Sequence, residues 1–87
     1  MIIDDEPVVR AGIKQLISWE EYGYEICAEG LDGKDGFNKL LEHSPDLVLV
    51  DVKMPGMSGI DLIGKAKKEG FEGKFIILTG YSEFEFA

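Results

Sequence analysis

The sequence is poor in the residues that build covalent or soft-metal frameworks: one cysteine, Cys27, and one histidine, His43, in 87 residues. Cys27 cannot close an internal disulfide, which excludes a disulfide scaffold, and His43 has no second His or Cys at ligand spacing, so dipole complementation or simple exposure outweighs metal binding there. A reducing, cytoplasmic setting is the expectation. Long apolar runs and any signal-peptide pattern are missing too, so no membrane crossing is expected. Basic residues are scarce: nine Lys and Arg stand against seventeen Asp and Glu, a formal net charge of -8. That balance argues against nucleic acid or an anionic membrane as a direct partner of these residues, though not of a domain that follows them. What remains is a globular composition, 45% apolar. It belongs to one small domain, burying about 60 to 65% of its extended surface.

The densest apolar stretch is Leu47-Val48-Leu49-Val50, preceded by Ser44-Pro45-Asp46 and stopped by Met54-Pro55-Gly56-Met57-Ser58-Gly59. Apolarity without alternation predicts a strand buried on both faces, as in the middle of a parallel sheet. Asp51 falls at its carboxyl end, where open α/β sheets place their ligands. Two readings are open there: an Asp that starts a turn, or a nucleophile or metal ligand.

Strand and helix patterns alternate around this centre. Met1-Ile2-Ile3 reads as the tail of a first strand, expected to lack its opening residues, and runs into Asp4-Asp5. Glu6-Pro7 opens a helix to about Ser18 or Trp19, with Val9, Ile13, Leu16 and Ile17 as its apolar stripe and Arg10, Lys14 and Gln15 facing out. Trp19 through Gly23 connect to a second strand, Tyr24 to Glu29, whose alternation suits an edge. Cys27 on it reads as packing rather than chemistry. Trp19, Tyr22 and Tyr24 either fill the gap beneath the first helix or mark a contact surface.

Gly30, Gly33 and Gly36 match no phosphate-binding fingerprint and read as turns and a loosely packed helix start. The next helix, about Lys34 to Glu42, should bury Phe37, Leu40 and Leu41, with His43 complementing its dipole. Ser58 is the expected N-cap of a helix to about Glu69, with Leu62, Ile63 and Ala66 inward and Gly70 ending it. Lys74 to Thr79 form a fourth strand, nearly continuous in apolar residues and so expected deep in the sheet. Gly80-Tyr81-Ser82 breaks it, and Glu83 to Ala87 resembles the first turn of another helix. The order β-α-β-α-β-α-β-α predicts an α/β fold, a doubly wound parallel sheet.

Parallel strands gather Asp4, Asp5, Asp51 and Thr79 on one rim. Three converging carboxylates repel one another unless a cation offsets them, and oxygen donors of this kind suit Mg2+. The Thr79 hydroxyl and loop amides can donate to an anion.

These residues in this order resemble the receiver domain of two-component response regulators, a flavodoxin-like fold. Trp19-Glu20-Glu21-Tyr22-Gly23 and Gly80-Tyr81-Ser82-Glu83-Phe84 further resemble the subfamily found ahead of AraC-type DNA-binding domains. The resemblance implies that Asp51 accepts a phosphoryl group from a sensor histidine kinase and passes the signal to a transcriptional output domain. It implies Mg2+ as cofactor, ligated by Asp5 and Asp51, by Asp4 mainly through water, and by the Lys53 carbonyl. Thr79 and the Lys53 and Gly80 amides would hold the phosphate, Pro55 would shape the loop, and Gly59 would let the next helix approach. Such a domain is a signalling module rather than an enzyme, though it assists its own phosphoryl transfer and dephosphorylation. Tyr81 and Phe84 lie where the family changes shape on phosphorylation.

Residues 1–87 are thus expected to form a partial receiver, lacking the fifth strand with its Lys and aromatic residue, and the fifth helix. Strands in the order 2-1-3-4 would leave the apolar fourth strand at an edge. Self-association or domain swapping is the expected consequence, with DNA reached only through a C-terminal domain absent here. Two other classes remain. A phosphatase of the haloacid dehalogenase type needs a second Asp two residues after the nucleophile, where Lys53 stands. A non-catalytic dimerisation or interaction module, only weakly phosphorylatable, is the more serious rival.

Overall fold

The computed structural model describes residues 1–78. Expectations for Thr79, Gly80, Tyr81, Phe84 and the helix from Glu83 lie outside the described residues. Four strands, β1 (Ile2–Ile3), β2 (Glu29–Gly30), β3 (Leu47–Asp51) and β4 (Lys74–Leu78), alternate with helices α1 (Pro7–Leu16), α2 (Gly33–His43) and α3 (Gly59–Lys68). A short 3-10 turn, Trp19–Tyr22, follows α1. All pairings are parallel and the order is β2-β1-β3-β4, as expected.

Burial explains the centre of the sheet. Val48, Leu49 and Val50 are buried, and so are Ile2 and Ile3 beside them. Ile3, Val48 and Val50 pack with Leu40 of α2 and Leu62 and Ala66 of α3, so these two helices share a face. Right-handed crossovers in this strand order put α1 on the other face, over Ile2 and Leu49. Helix starts follow local chemistry. Pro7 takes the first position of α1, Asp32 caps α2 by accepting from the Asp35 N–H, and Ser58 forms a reciprocal capping box with Asp61. Gly70 ends α3 at φ 85°.

Several expectations are corrected. The second strand is confined to Glu29–Gly30, because the register pairs Ile2 with Glu29 and residues 24–27 fall beyond the start of β1. Cys27 is therefore exposed and not a packing residue. Trp19 and Tyr24 do meet, edge to face at 6.4 Å, whereas Tyr22 is exposed. Leu16 and Leu41 lie toward solvent, Leu16 at 85% exposure, so each apolar stripe is narrower than its sequence. Arg10, expected outside, is buried.

The glycines are not loosely packed. A β-carbon on Gly30 would stand 2.6 Å from the Gly36 α-carbon, and one on Gly36 the same distance from the Ile3 side chain. Their absence of side chains sets how closely α2 lies on the sheet. Finally β4, although apolar, has β3 as its one neighbour among the described residues. Ile76 and Ile77 are consequently 49% and 43% exposed: among the described residues the fourth strand is an edge, as its place in the order 2-1-3-4 implies, and not deep in the sheet as its apolar run alone suggests.

Candidate functional site

Register builds the site. Ile3 pairs with Val50, so the residues that follow, Asp4 and Asp51, leave neighbouring strands side by side on the same rim. Carboxylate oxygens of Asp4, Asp5 and Asp51 lie within 4.8 Å of one another. Asp4 is buried at 4% exposure, and Asp5 and Asp51 are half-buried.

Asp4 is held at several points. Its N–H donates to the Gly30 carbonyl at 3.2 Å, and its Oδ1 accepts from the Glu6 N–H at 2.8 Å. Its own carbonyl accepts from Arg10 Nη1 at 2.5 Å. Asp51 is fixed instead by the strand it ends and by the loop beyond. The Val52 N–H donates to the Leu78 carbonyl at 3.2 Å, and the Gly59 N–H donates to the Val52 carbonyl at 2.9 Å. Met54 is buried as an anchor, Gly56 turns the chain at φ 81°, and exposed Lys53 lies between Asp51 and that turn. A β-carbon on Gly59 would collide with the Asp51 carbonyl oxygen, so glycine is what lets α3 start against the site.

A group of three carboxylates, one of them buried, is a hard oxygen donor set with a concentrated negative field. Mg2+ fits it: a small divalent ion that keeps some waters and takes carboxylate oxygens. The structure brings together Asp4, Asp5 and Asp51 as the sequence suggests, with Lys53 close in the chain; Thr79 and Gly80 lie outside the described residues.

Sequence reasoning missed Arg10 and Glu29. The Arg10 Nε donates to Glu29 Oε1 at 3.2 Å, Lys14 Nζ meets Glu29 Oε2 at 2.8 Å, and Lys39 Nζ donates to the Glu29 carbonyl at 2.8 Å. Lys14 and the other partners hold the Glu29 carboxyl below the ordinary glutamate range, against the opposing effect of burial. The available signal was positional: Arg10 lies beside the half-buried residues Val9 and Ile13 on the helix that leaves Asp4-Asp5, and Glu29 opens β2 alongside.

Comparison with known proteins agrees with this geometry. The family model of the response regulator receiver domain matches residues 1–87. The chain belongs to that family. It is 36% identical over 87 residues to YesN, a transcriptional regulatory protein of Bacillus subtilis, covering all of this chain and 24% of YesN. A two-component transcriptional regulator AraC from Clostridium phytofermentans superposes with a TM-score of 0.87 at 33% identity, over 98% of this chain and 66% of that one. The response regulator TrrA of Thermotoga maritima, solved in complex with Mg(2+)-BeF, gives a TM-score of 0.80 at 35% identity, over 98% of this chain and 71% of that one. The receiver match thus spans about a quarter of the YesN relative's length. Among the described residues no helix is long and apolar enough to cross a membrane.

Proposed function

We propose that this receiver takes a phosphoryl group on Asp51 from a histidine of a sensor kinase, in the cytoplasm, and relays that event to a transcriptional output domain. The observation that carries the reading is the meeting of Asp4, Asp5 and Asp51 at the ends of β1 and β3. An Asp51 carboxylate oxygen attacks phosphorus, the bond from phosphorus to the histidine nitrogen breaks, and that nitrogen keeps the electron pair and takes a proton. Asp4, Asp5, Asp51 and the Lys53 carbonyl are the proposed ligands of Mg2+. When bound, the ion neutralises charge on the transferred oxygens. Thr79 and the Lys53 and Gly80 amides are the proposed phosphate donors, and the same donors assist later hydrolysis. DNA is reached only through an output domain, which the transcriptional relatives support.

The test is intact mass after incubation with acetyl phosphate and Mg2+, with Asp51→Asn as control. A gain of about 80 Da, one phosphoryl group, confined to the unchanged protein is the expected result. No gain by a chain that circular dichroism shows to be folded overturns it in favour of a non-catalytic interaction module.

We also propose that the 87-residue chain, taken as a partial receiver domain, self-associates through the β4 edge, where Ile76 and Ile77 are half exposed. Sedimentation should show mass rising with concentration; a monomer throughout rejects this.

A further inference from the structure

We propose that Arg10 is a positioning residue for the acidic site. It holds the Asp4-Asp5 backbone through the Asp4 carbonyl, with Glu29 fixing its guanidinium; the inference rests on the reading of Asp4, Asp5 and Asp51 as the Mg2+ site.

Arg10 is only 9% exposed, on a helix whose neighbouring Lys14 and Gln15 face solvent. Burying a guanidinium is costly unless its donors find partners, and here Nε and Nη1 both do. Nη1 donates to the Asp4 carbonyl and Nε to Glu29 Oε1. The first bond goes to main-chain oxygen, so it fixes the residue without occupying an oxygen of its carboxylate. The second ties the same plane to β2, where Lys14 and Lys39 also hold Glu29, and Lys39 in turn pairs with Asp35 of α2 at 3.0 Å. The loop carrying two proposed ligands is thereby referenced to α1, β2 and α2 together.

Positioning and charge have opposite signs here. A fixed cation bonded to the Asp4 carbonyl competes through its charge with a divalent ion on the Asp4 side of the site, so if Arg10 acted only by its charge, neutralising it would tighten Mg2+ binding. If it acts by holding the peptide between Asp4 and Asp5, losing it frees that loop and weakens binding. Losing an outer hydrogen-bond partner of a metal site typically weakens affinity by about 10- to 100-fold. A lysine separates the two further, because it keeps the charge but has no planar fork to reach both the carbonyl and Glu29.

The experiment measures Mg2+ affinity by calorimetry for the unchanged chain, Arg10→Met and Arg10→Lys, with metal-free melting curves alongside. Arg10→Met leaves Glu29 paired to Lys14, so a cooperative melt should persist. The expected result is an affinity about tenfold or more lower in Arg10→Met and a smaller loss in Arg10→Lys. Tighter or unchanged binding in a cooperatively melting Arg10→Met overturns the proposal. If that variant does not fold, Arg10→Lys decides: weaker binding supports positioning, and unchanged binding rejects it. Absence of Mg2+ binding by the unchanged protein overturns the metal site itself and this inference with it, and is distinguishable because no variant is needed to see it.

Discussion

Gly59 stands with its α-carbon against the main-chain carbonyl of Asp51, so near that a β-carbon would run into the oxygen. The obstacle is backbone at the end of a central strand, which cannot swing aside as a side chain can. Gly59→Ala should therefore destabilise the chain by about 1 to 3 kcal/mol in urea unfolding, although alanine is the better helix former. A stabilised variant would show that α3 can shift away from the site without loss.

Gly36 and Gly64 test the same principle with opposite signs. Both lie inside helices, but a β-carbon on Gly36 meets the buried Ile3 side chain while one on Gly64 meets nothing within 4 Å. Gly64→Ala should gain roughly 0.5 to 1 kcal/mol from helix propensity. Gly36→Ala should lose stability despite the same gain, as a denaturant midpoint moving the other way.

The contrast shows what the sequence could carry. Val48, Leu49 and Val50 announced a central strand because unbroken apolarity has few other uses, and parallel pairing then put Asp4, Asp5 and Asp51 on one rim. The Ser58 cap was legible because its partner Asp61 is three residues away. Contacts made only in three dimensions were not. Arg10 finds Glu29 nineteen residues on, and Gly36 is tight only because Ile3 lies beneath it. Tyr24 to Ala28 alternate like a strand, yet pairing needs a neighbour in register, and β1 offers one only from Ile2.

Neutralising a carboxylate of the site should act differently with and without metal. Asp5 shares the space within 4.8 Å of Asp4 and Asp51, so Asp5→Asn relieves repulsion and should raise the metal-free melting temperature. The unchanged chain should gain stability as Mg2+ is added, by mass action on the folded state, and Asp5→Asn should lose most of that gain. Equal Mg2+-induced shifts in the two proteins would remove Asp5 from the ligand set.

Acid should dissolve part of the brace around Arg10. The Lys14 ammonium, hydrogen-bonded to Glu29, and then Arg10 hold that carboxyl below its ordinary value of 4.5; the Leu31 N–H, and then Lys39, hold Asp35 below 3.8. A carboxyl depressed in the folded chain contributes stability that is fully present above its unfolded value and is lost as pH falls through the folded one. The melting temperature should thus fall with pH below about 4.5, the unfolded Glu29 value. Glu29→Gln supplies the control, since glutamine resembles the protonated acid. Its melting temperature should lie below that of the unchanged protein near neutrality and converge with it in acid. A gap that stays constant across the range would assign the cost of the substitution to packing, and the ion pairs with Lys14 and Arg10 would then contribute nothing measurable.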